Sequence, residues 1–536
     1  MRTRRPLMLV ATAAVVALLA TACSGNTNDG SGGDSDSREA SVQLYQAPTT
    51  FNPLVAAIGP NQLMGQLHWD GLLSVTADAE YGPRLAESWD VSEDGRTWTF
   101  NLRDDVNWSD GEAFTADDVV FTFNLYANPE SGSAYAGKYA GVVGATEFAD
   151  GAADSVAGFR APDDYTFEIE LEDPNVAFLE ELVAPIFFIL PEHIVGELPL
   201  EGLTDNQFFR EPSVGIGPYI FEEWLTDDQA SFVANPEYRS ELGLDRVYAR
   251  YLATDVAMAQ LETGELDFAQ VSAADFERMS GIDGITLQEV EGPGVMALHP
   301  ALDMPPLQDP LVRQAIMHAV DREALVDEVL AGHGKVVDTL VHGPDWAVPG
   351  DLTHYDYDPE KARDLLAEAN WDASTTVELM IVPGQRDRDT IMTIVAAQLQ
   401  EVGINAVVEQ VEPAEQGDRI GNRTFGTLLS AYGLFSVDPA SMNARVMCEQ
   451  IGGANLVAYC NPELDTLLKA GVATTDQSER EKIYAEAQHI MNEELPIMVL
   501  YVPNVLGATS DRLQGLDLNP LATDAFWDAA EWTVTD

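Results

Sequence analysis

A stretch rich in carboxylates, NLRDDVNWSDGEAFTADDVVFTF, contains the residue types of a cation site. Asp105, Asn107 and Ser109 alternate along the chain as the first oxygen ligands of a calcium loop do. Such a loop also needs a glycine at its sixth position and a bidentate Glu at its twelfth, where this sequence has Asp110 and Ala116. Because the sharp turn and the last ligand are both missing, these acids are predicted to serve turns and helix caps instead.

The signatures of common enzyme classes are also incomplete. Gly132, Gly137 and Lys138 are spaced as in a phosphate-binding loop, but Tyr139 occupies the place of the magnesium-binding Ser or Thr. The motifs G-x-S-x-G, H-E-x-x-H and C-x-x-C do not occur in the sequence. We therefore predict a binding protein rather than an enzyme, with no catalytic residues, no metal and no cofactor. The carboxylate pair of a glycoside hydrolase is not local in sequence, so a secreted acidic hydrolase stays an alternative.

The charge balance limits the class of partner. The 536 residues include 89 Asp and Glu against 28 Lys and Arg, which gives a net charge of −61. Such a field repels nucleic acids and anionic lipid surfaces. A length of this order predicts two to four domains, and the apolar fraction of 46% is enough for a globular body.

The N-terminus has the features of an export signal. Residues 1–22 carry several arginines and then an apolar run that is too short for a bilayer core, which takes about 20 residues. LATAC, ending at Cys23, resembles a bacterial lipobox, in which the cysteine becomes the lipid-bearing first residue of the mature protein. Residues 23–41 are predicted to form a flexible Gly, Ser and Asp tether. The body is thus expected outside the cell, held at the outer face of the cytoplasmic membrane through this lipid.

Two cysteines, Cys448 and Cys460, remain beyond the anchor. In an oxidising compartment a disulfide is the natural interpretation of such a pair. A zinc site is the weaker alternative, because the spacing does not fit a knuckle and the nearest histidine, His489, is far along the chain.

Regular elements follow from local patterns. TWTFNLR alternates and predicts a strand with Trp98, Phe100 and Leu102 on one face. Asp309 and Asp358 each precede a proline and an apolar helical pattern, which predicts two capped helices. Strands and helices that alternate in this way indicate an α/β or mixed α+β protein.

Together these segments resemble the family 5 extracytoplasmic solute-binding proteins of ABC importers, the oligopeptide- and dipeptide-binding type. The resemblance extends from about Val42 to the C-terminus. Its most specific parts are PRLAESWDVSEDGRTWTFNLRDDVNWSDGEAFTADDVVFTF (83–123), GIGPYIFEEW followed by NPEYR (215–239), LETGELDF (261–268), DPLVRQAIMHAVDREALV (309–326) and YDPEKARDLLAEANW (357–371).

The resemblance implies an α/β, two-lobed fold of the periplasmic-binding-protein kind (type II, cluster C), with an extra domain inserted in the first lobe. Two crossover strands would join the lobes, which would close on a buried ligand. The expected division is lobe one at 42–80, 205–298 and 504–536, the extra domain at 81–204, and lobe two at 299–503.

The implied function is capture of a small, peptide-like solute in the cleft between the lobes. A monomeric, lipid-anchored receptor would deliver this solute, chemically unchanged, to an ABC permease and its ATPase subunits. A non-peptide ligand such as an oligosaccharide, an opine or a metal chelate is the alternative within the family.

The resemblance is incomplete where the ligand would be recognised. In peptide-binding members, an acidic residue three places before a D-P or E-P pair meets the α-amine of the peptide. Here Asp438 precedes Pro439, but Phe435 occupies the place of the acid and Leu434 that of a common Trp. A buried ammonium opposite Phe435 would lack its counter-charge. Asp438 is therefore expected either to replace the missing acid or only to cap the turn.

Further ligand-binding candidates come from their positions. Tyr432, Leu434 and Phe435 offer apolar and stacking surface, and Tyr45 with the loop PTTFNP (48–53) lies where the first lobe faces the ligand in this family. The alternative for each is ordinary core packing. The pair Cys448 and Cys460 resembles one found in dipeptide-type members and would brace the loop beside the cleft.

Overall fold

The computed structural model describes residues 38–55, 59–76, 80–183, 186–225, 227–341, 344–384, 386–433, 437–519 and 525–535, without the side chains of residues 432 and 433. The predicted export signal, Cys23 and most of the tether lie outside these ranges, as do Leu434 and Phe435. None of the helices in the described ranges is long and apolar enough to cross a membrane.

The β-strands are listed here in chain order. They are β1 (Glu39–Leu44), β2 (Leu73–Val75), β3 (Tyr81–Pro83), β4 (Ala86–Val91), β5 (Thr97–Leu102), β6 (Phe159–Asp163), β7 (Thr166–Glu170), β8 (Tyr219–Leu225), β9 (Gln229–Ala234), β10 (Arg246–Tyr251), β11 (Phe268–Gln270), β12 (Ile285–Glu291), β13 (Gly294–Pro300), β14 (Gly334–Lys335), β15 (Thr376–Ile381), β16 (Asn405–Gln410), β17 (Thr427–Gly433), β18 (Met498–Ser510), β19 (Leu513–Gln514) and β20 (Thr533–Val534).

The α-helices alternate with these strands. They are α1 (Gly59–His68), α2 (Ala116–Ala127), α3 (Ala145–Ala149), α4 (Glu192–Val195), α5 (Thr254–Thr263), α6 (Ala273–Met279), α7 (Pro310–Ala319), α8 (Arg322–Val329), α9 (Pro359–Glu368), α10 (Arg386–Glu401), α11 (Pro413–Gly421), α12 (Asn443–Val446), α13 (Pro462–Ala473) and α14 (Gln477–Glu494). The mixed α/β class predicted from the sequence is confirmed.

Helices α7 and α9 begin at the positions predicted from the sequence. The Asp309 carboxylate accepts a hydrogen bond from the Leu311 N–H at 2.9 Å and caps α7. The Asp358 carboxylate accepts hydrogen bonds from the N–H groups of Glu360 and Lys361 and caps α9. In both helices proline takes the first position, where the missing N–H costs nothing.

The carboxylate-rich stretch forms part of a separate antiparallel sheet with the order β4-β5-β7-β6. Trp98, Phe100 and Leu102 of β5 are buried, as their alternation predicts. At the start of α2, the Asp118 carboxylate accepts a hydrogen bond from the Thr115 N–H at 3.1 Å, which is the predicted capping arrangement. This sheet shares one continuous hydrophobic cluster with β1 and with the hairpin of β8 and β9.

The main sheet has twelve strands and runs β16-β15-β17-β13-β18-β11-β1-β10-β9-β8, with β12 and β14 also paired to β18. β18 belongs to both halves of this sheet. Its first residues, Met498 to Tyr501, pair with β13, and its later residues, Asn504 to Ser510, pair with β12. The chain therefore passes from one half to the other along β18.

A second passage lies directly beside the first, between the end of β12 and the start of β13. The Gly292 N–H donates to the Pro503 carbonyl at 3.1 Å. A Cβ at Gly292 would lie 2.1 Å from that carbonyl oxygen, so only glycine allows the two passages to come this close. Two adjacent passages are the connection that hinged halves of a protein need.

Candidate functional site

Four strands end at the same region, beside the two passages. β1 is parallel to β11, and β11 runs antiparallel to β18 with Gln270 opposite Gly507, so both strands end towards the passage. β15 is parallel to β17, and β17 ends with Gly433 opposite Gly294 at the start of β13. Ligands of open α/β sheets bind outside the carboxyl ends of the strands. This region is therefore the candidate ligand cleft.

Tyr45 follows directly after β1, at one of these ends, and 42% of its surface is exposed. Its ring packs over Gly59 of α1, where a Cβ would lie 2.3 Å from the tyrosine hydroxyl. The loop that follows is fixed, because the Phe51 carbonyl accepts a hydrogen bond from the Trp69 indole at 3.0 Å. An exposed ring on a fixed support can stack on a ligand, and the ligand role of Tyr45 stays a prediction.

The other ligand-binding candidates are Tyr432, Leu434 and Phe435. The backbone of Tyr432 lies in β17 opposite Val295, and its side chain is outside the description. Leu434 and Phe435 are outside it entirely. Their predicted contacts with a ligand stay predictions.

Asp438 lies just beyond the end of β17 and is buried. One of its oxygens accepts a hydrogen bond from the Ala440 N–H at 3.0 Å and caps a short 3-10 helix, Pro439–Met442. Both oxygens also accept from Nη2 of Arg480, at 2.9 and 2.8 Å. The structure thus contains the turn cap that the sequence suggested, while recognition of an amine by Asp438 stays a prediction.

Glu180 lies beside Asp438 and was not among the residues predicted from the sequence. It belongs to a 3-10 helix, Phe178–Leu182, and its carboxylate accepts a hydrogen bond from the Asp438 N–H at 3.2 Å. Burial, and then the charge of Asp438, raise the pKa of Glu180 well above its usual value. Its sequence context, AFLEELV, has no signal that separates it from a surface acid.

Arg388, in the first turn of α10 and so beyond the carboxyl end of β15, was missed as well. Burial lowers the pKa of this guanidinium, and the ring of Tyr501 in β18 is close enough to act on it electrostatically. Within the described part of the chain, Arg388 has neither an ion pair nor a hydrogen bond. A partly buried cation without a partner is unusual in a chain with a net charge of −61.

The cysteine pair forms the predicted disulfide. Cys448 and Cys460 have Cα atoms 4.5 Å apart and are bonded. The loop between them is further tied by Asn455, whose amide donates to the carbonyls of Met447 and Tyr459. Because α12 and the helix capped by Asp438 directly precede this loop, the disulfide braces the chain that follows β17.

The residues of the incomplete calcium-loop and phosphate-loop motifs form ion pairs within the fold. Asp105 pairs with Arg103 at 2.9 Å, and Asp110 contacts His193 at 2.9 Å. Lys138, from the sequence that resembled a phosphate loop, pairs with Glu181 at 2.5 Å. Over the described ranges, no three His, Cys, Asp or Glu side chains are grouped so that they could hold a metal ion.

Comparison with known proteins fits this architecture. Residues 80–450 match the family "Bacterial extracellular solute-binding proteins, family 5 Middle". A Brucella melitensis protein named as an ABC transporter peptide-binding protein is 29% identical over 504 residues, which cover 91% of each chain. The dipeptide-binding protein of Escherichia coli is 28% identical over 467 residues, covering 83% of this chain and 85% of its own.

A solved structure gives the same result for the fold. The oligopeptide-binding protein AppA of Bacillus subtilis, solved with a nonapeptide, superimposes with a TM-score of 0.77 at 24% identity, over 93% of this chain and all of its own. The fold is therefore the mixed α/β, two-lobed fold of periplasmic binding proteins. With the family match over more than half of its residues, this chain belongs to the family 5 extracellular solute-binding proteins of bacterial ABC importers.

Proposed function

We propose that this protein captures a peptide in the cleft at the carboxyl ends of β1, β11, β15 and β17 and releases it chemically unchanged. The relatives named as peptide-binding proteins support this ligand class. The absence of a nucleophile or metal motif from the sequence supports binding without catalysis.

The observation that carries the proposal is that Arg388 is partly buried and has no ion pair or hydrogen bond with any described residue. A guanidinium keeps its charge when partly buried, and leaving such a charge without a partner costs free energy. A carboxylate from a ligand would supply the partner through two parallel hydrogen bonds. Peptides carry such a group at their C-terminus, whereas neutral oligosaccharides do not.

The two passages between the halves of the sheet would act as a hinge, so that the two lobes can close around a ligand. A ligand that contacts both halves binds the closed form more tightly than the open form, and this difference shifts the equilibrium towards closure. The closed, loaded form is the one that a membrane permease and its ATPase subunits would recognise. Lobe one at 42–80, 205–298 and 504–536, an extra domain at 81–204 and lobe two at 299–503 are the proposed moving parts.

The proposed location follows from the N-terminal sequence. Cleavage before Cys23 and lipidation of this residue would hold a monomeric body at the outer face of the cytoplasmic membrane. The predicted tether, residues 23–41, would then end where β1 begins at Glu39. Mass spectrometry of the membrane fraction tests this directly: a diacylglyceryl-modified N-terminal Cys23 is expected, and an unmodified N-terminus there would contradict it.

Isothermal titration tests the ligand class. Di- to pentapeptides are expected to bind with heat and without turnover, and neutral oligosaccharides are expected not to bind. Arg388→Met should weaken peptide binding by about 30-fold or more, because a buried charge pair loses one partner. Arg363→Met, which changes an exposed arginine of α9, is the matched control.

Three results would contradict the proposal. Binding of oligosaccharides but not peptides would assign a different ligand, and mass-spectrometric detection of cleaved product would assign a hydrolase. Equal affinities of wild type and Arg388→Met would show that the arginine does not meet the ligand.

A further inference from the structure

Gln43 is a buried polar residue near the end of β1. It lies between the buried apolar residues Val42 and Leu44, and only 3% of its own surface is exposed. Burying an amide costs free energy unless its hydrogen bonds are made inside the protein. The partners of the Gln43 side chain therefore indicate its role.

The Gln43 amide joins β1 to the strands on both sides of it. Its Nε2 donates a hydrogen bond to the carbonyl of Leu252, just after β10, at 2.8 Å. Its Oε1 accepts a hydrogen bond from the N–H of Gln270, the last residue of β11, at 2.8 Å. Because a carbonyl can only accept and an N–H can only donate, these partners also fix the orientation of the amide. One side chain thus ties three neighbouring strands together.

The three strands end at the candidate cleft. β10 runs parallel to β1 as far as Tyr251 opposite Leu44, and β11 is parallel to β1 with Phe268 opposite Val42. The carboxyl ends of all three strands therefore lie at the same edge of the sheet. Tyr45 and the segments that follow β10 and β11 form the wall that proposed lobe one contributes to the cleft.

The side-chain bonds add to the main-chain contacts at these ends. On the β10 side, the Leu252 N–H donates to the Leu44 carbonyl at 3.0 Å, and Gln43 holds the carbonyl of the same Leu252. On the β11 side, the bond from Gln270 extends the contact with β1 two residues beyond Phe268. An apolar side chain of similar length could fill the same space and would make neither bond.

We propose that Gln43 is a positioning residue for ligand binding, whose amide fixes the ends of β10 and β11 so that the main-chain groups beyond them and the Tyr45 ring are held ready for the ligand. Groups held in their bound arrangement bind more tightly, because less conformational freedom is lost on binding. Gln43 acts through these segments and does not itself touch the ligand. The assignment rests on the proposed peptide-binding function and adds a residue that the sequence did not single out.

Two substitutions at Gln43 in the mature full-length protein test this role. Gln43→Met keeps the approximate length of the side chain and loses both hydrogen bonds. Gln43→Glu keeps the acceptor for the Gln270 N–H, and its carboxyl group, when protonated, can also donate to the Leu252 carbonyl. When the carboxyl group ionises, that donor is lost and a negative charge faces the carbonyl oxygen.

Asn235 offers a matched control at the opposite edge of the same sheet. It is a buried amide whose Nδ2 donates to the Gly217 carbonyl at 2.9 Å and whose Oδ1 accepts from the Glu237 N–H at 3.0 Å. It directly follows β9, which is antiparallel to β10 and ends beside the start of β10. Asn235→Leu should therefore lower the stability of the fold without changing the cleft.

The probe is the peptide that wild type retains best from a pool of random tri- to pentapeptides, identified by mass spectrometry. Its affinity for each variant is measured by calorimetry from pH 5 to pH 8.5, and urea unfolding gives the stability of each variant. Affinities are expressed relative to wild type at the same pH, which removes the titration of the peptide itself.

Gln43→Met should bind about tenfold more weakly than wild type. Asn235→Leu should stay within about twofold of wild type in affinity while it loses stability, because its amide is equally buried and bonded. The relative affinity of Gln43→Glu should be close to that of wild type at pH 5 and fall by about tenfold as the pH rises, because burial lets the introduced carboxyl group keep its proton at the lower pH.

Wild-type affinity in Gln43→Met, or an equal loss of affinity in Asn235→Leu, would overturn the inference while peptide binding stands. A relative affinity of Gln43→Glu that does not change with pH would also overturn it, and this variant serves as the test if Gln43→Met does not fold. If wild type retains no peptide from the pool, the proposed function fails and this inference fails with it.

Discussion

The Arg480 guanidinium binds both carboxylate oxygens of Asp438 at 2.9 and 2.8 Å, and the two side chains are buried against each other. The guanidinium also lies 5.1 Å from the centre of the Trp346 ring. This pair fixes the chain beyond β17 to α14.

Removal of the Asp438 carboxylate should therefore destabilise the fold. Asp438→Ala leaves the buried Arg480 without its counter-charge, which is expected to cost about 3–5 kcal/mol in the free energy of unfolding. Asp245→Ala breaks an exposed pair with Arg38 and should cost less than about 1 kcal/mol. Urea unfolding of both variants measures the difference, and equal losses would mean that burial of the first pair has no energetic consequence.

The disulfide should stabilise the protein by closing a short loop. The bonded cysteines are 12 residues apart, for which loop-closure entropy predicts roughly 3 kcal/mol. A double Cys448→Ser and Cys460→Ser variant should lose about this amount in urea unfolding, and alkylation of the unreduced wild-type mature body should add no mass. Two alkylated thiols in that body would refute the bridge.

The pH dependence of stability should carry a contribution from Asp528. Burial raises the pKa of this carboxyl to about 7. Since the folded state then holds the proton more tightly than the unfolded chain, whose pKa is about 3.9, this contribution to stability is greatest at low pH and is lost as the pH rises from about 4 to about 7. The loss is at most on the order of 4 kcal/mol, because one pKa unit corresponds to about 1.4 kcal/mol.

Asp528→Asn tests this sign. The amide oxygen can still accept the hydrogen bond that the Trp532 indole donates at 3.0 Å. The difference in unfolding free energy between variant and wild type, measured from pH 4.5 to 7.5, should shift in favour of the variant as the pH rises. Parallel pH profiles would contradict the raised pKa.

Gly217, in the GIGPY segment, should tolerate no side chain. A Cβ there would lie 2.5 Å from the Leu67 carbonyl oxygen and 2.8 Å from that of Trp69, at the end of α1. Gly217→Ala is expected to cost about 1–3 kcal/mol through overpacking. Gly137→Ala, with nothing within 4 Å of its added Cβ, is the control and should stay within about 0.5 kcal/mol of wild type in thermal unfolding. Equal stability of both variants would show that the backbone around Gly217 can shift to accommodate the Cβ without a loss in the free energy of unfolding.

Features that depend on neighbouring residues could be predicted from the sequence. The buried face of β5 and the caps at Asp309 and Asp358 follow from alternation and from acid–proline pairs, which act within a few positions. The disulfide was predictable because only two cysteines, Cys448 and Cys460, follow the predicted lipid-anchor residue Cys23. In each case the residues that form the sequence pattern are the same residues that produce the structural feature.

Features that depend on the fold could not be predicted. Glu180 contacts Asp438, which is 258 residues away in the sequence, and no pattern near Glu180 predicts this contact. That Arg388 has no ion pair with any described residue is likewise a property of its surroundings in three dimensions. Asp438 itself was a candidate, but only the structure reveals Arg480 as the partner of both its oxygens.

The central claim is that a peptide binds intact at the carboxyl ends of the four strands. A crystal structure of the mature protein with the peptide it retains from a mixed pool tests this most directly. We expect continuous density for an uncleaved peptide between the halves of the sheet, with its carboxylate at Arg388. An empty cleft with the peptide bound elsewhere, or density for a cleaved product, would contradict the account.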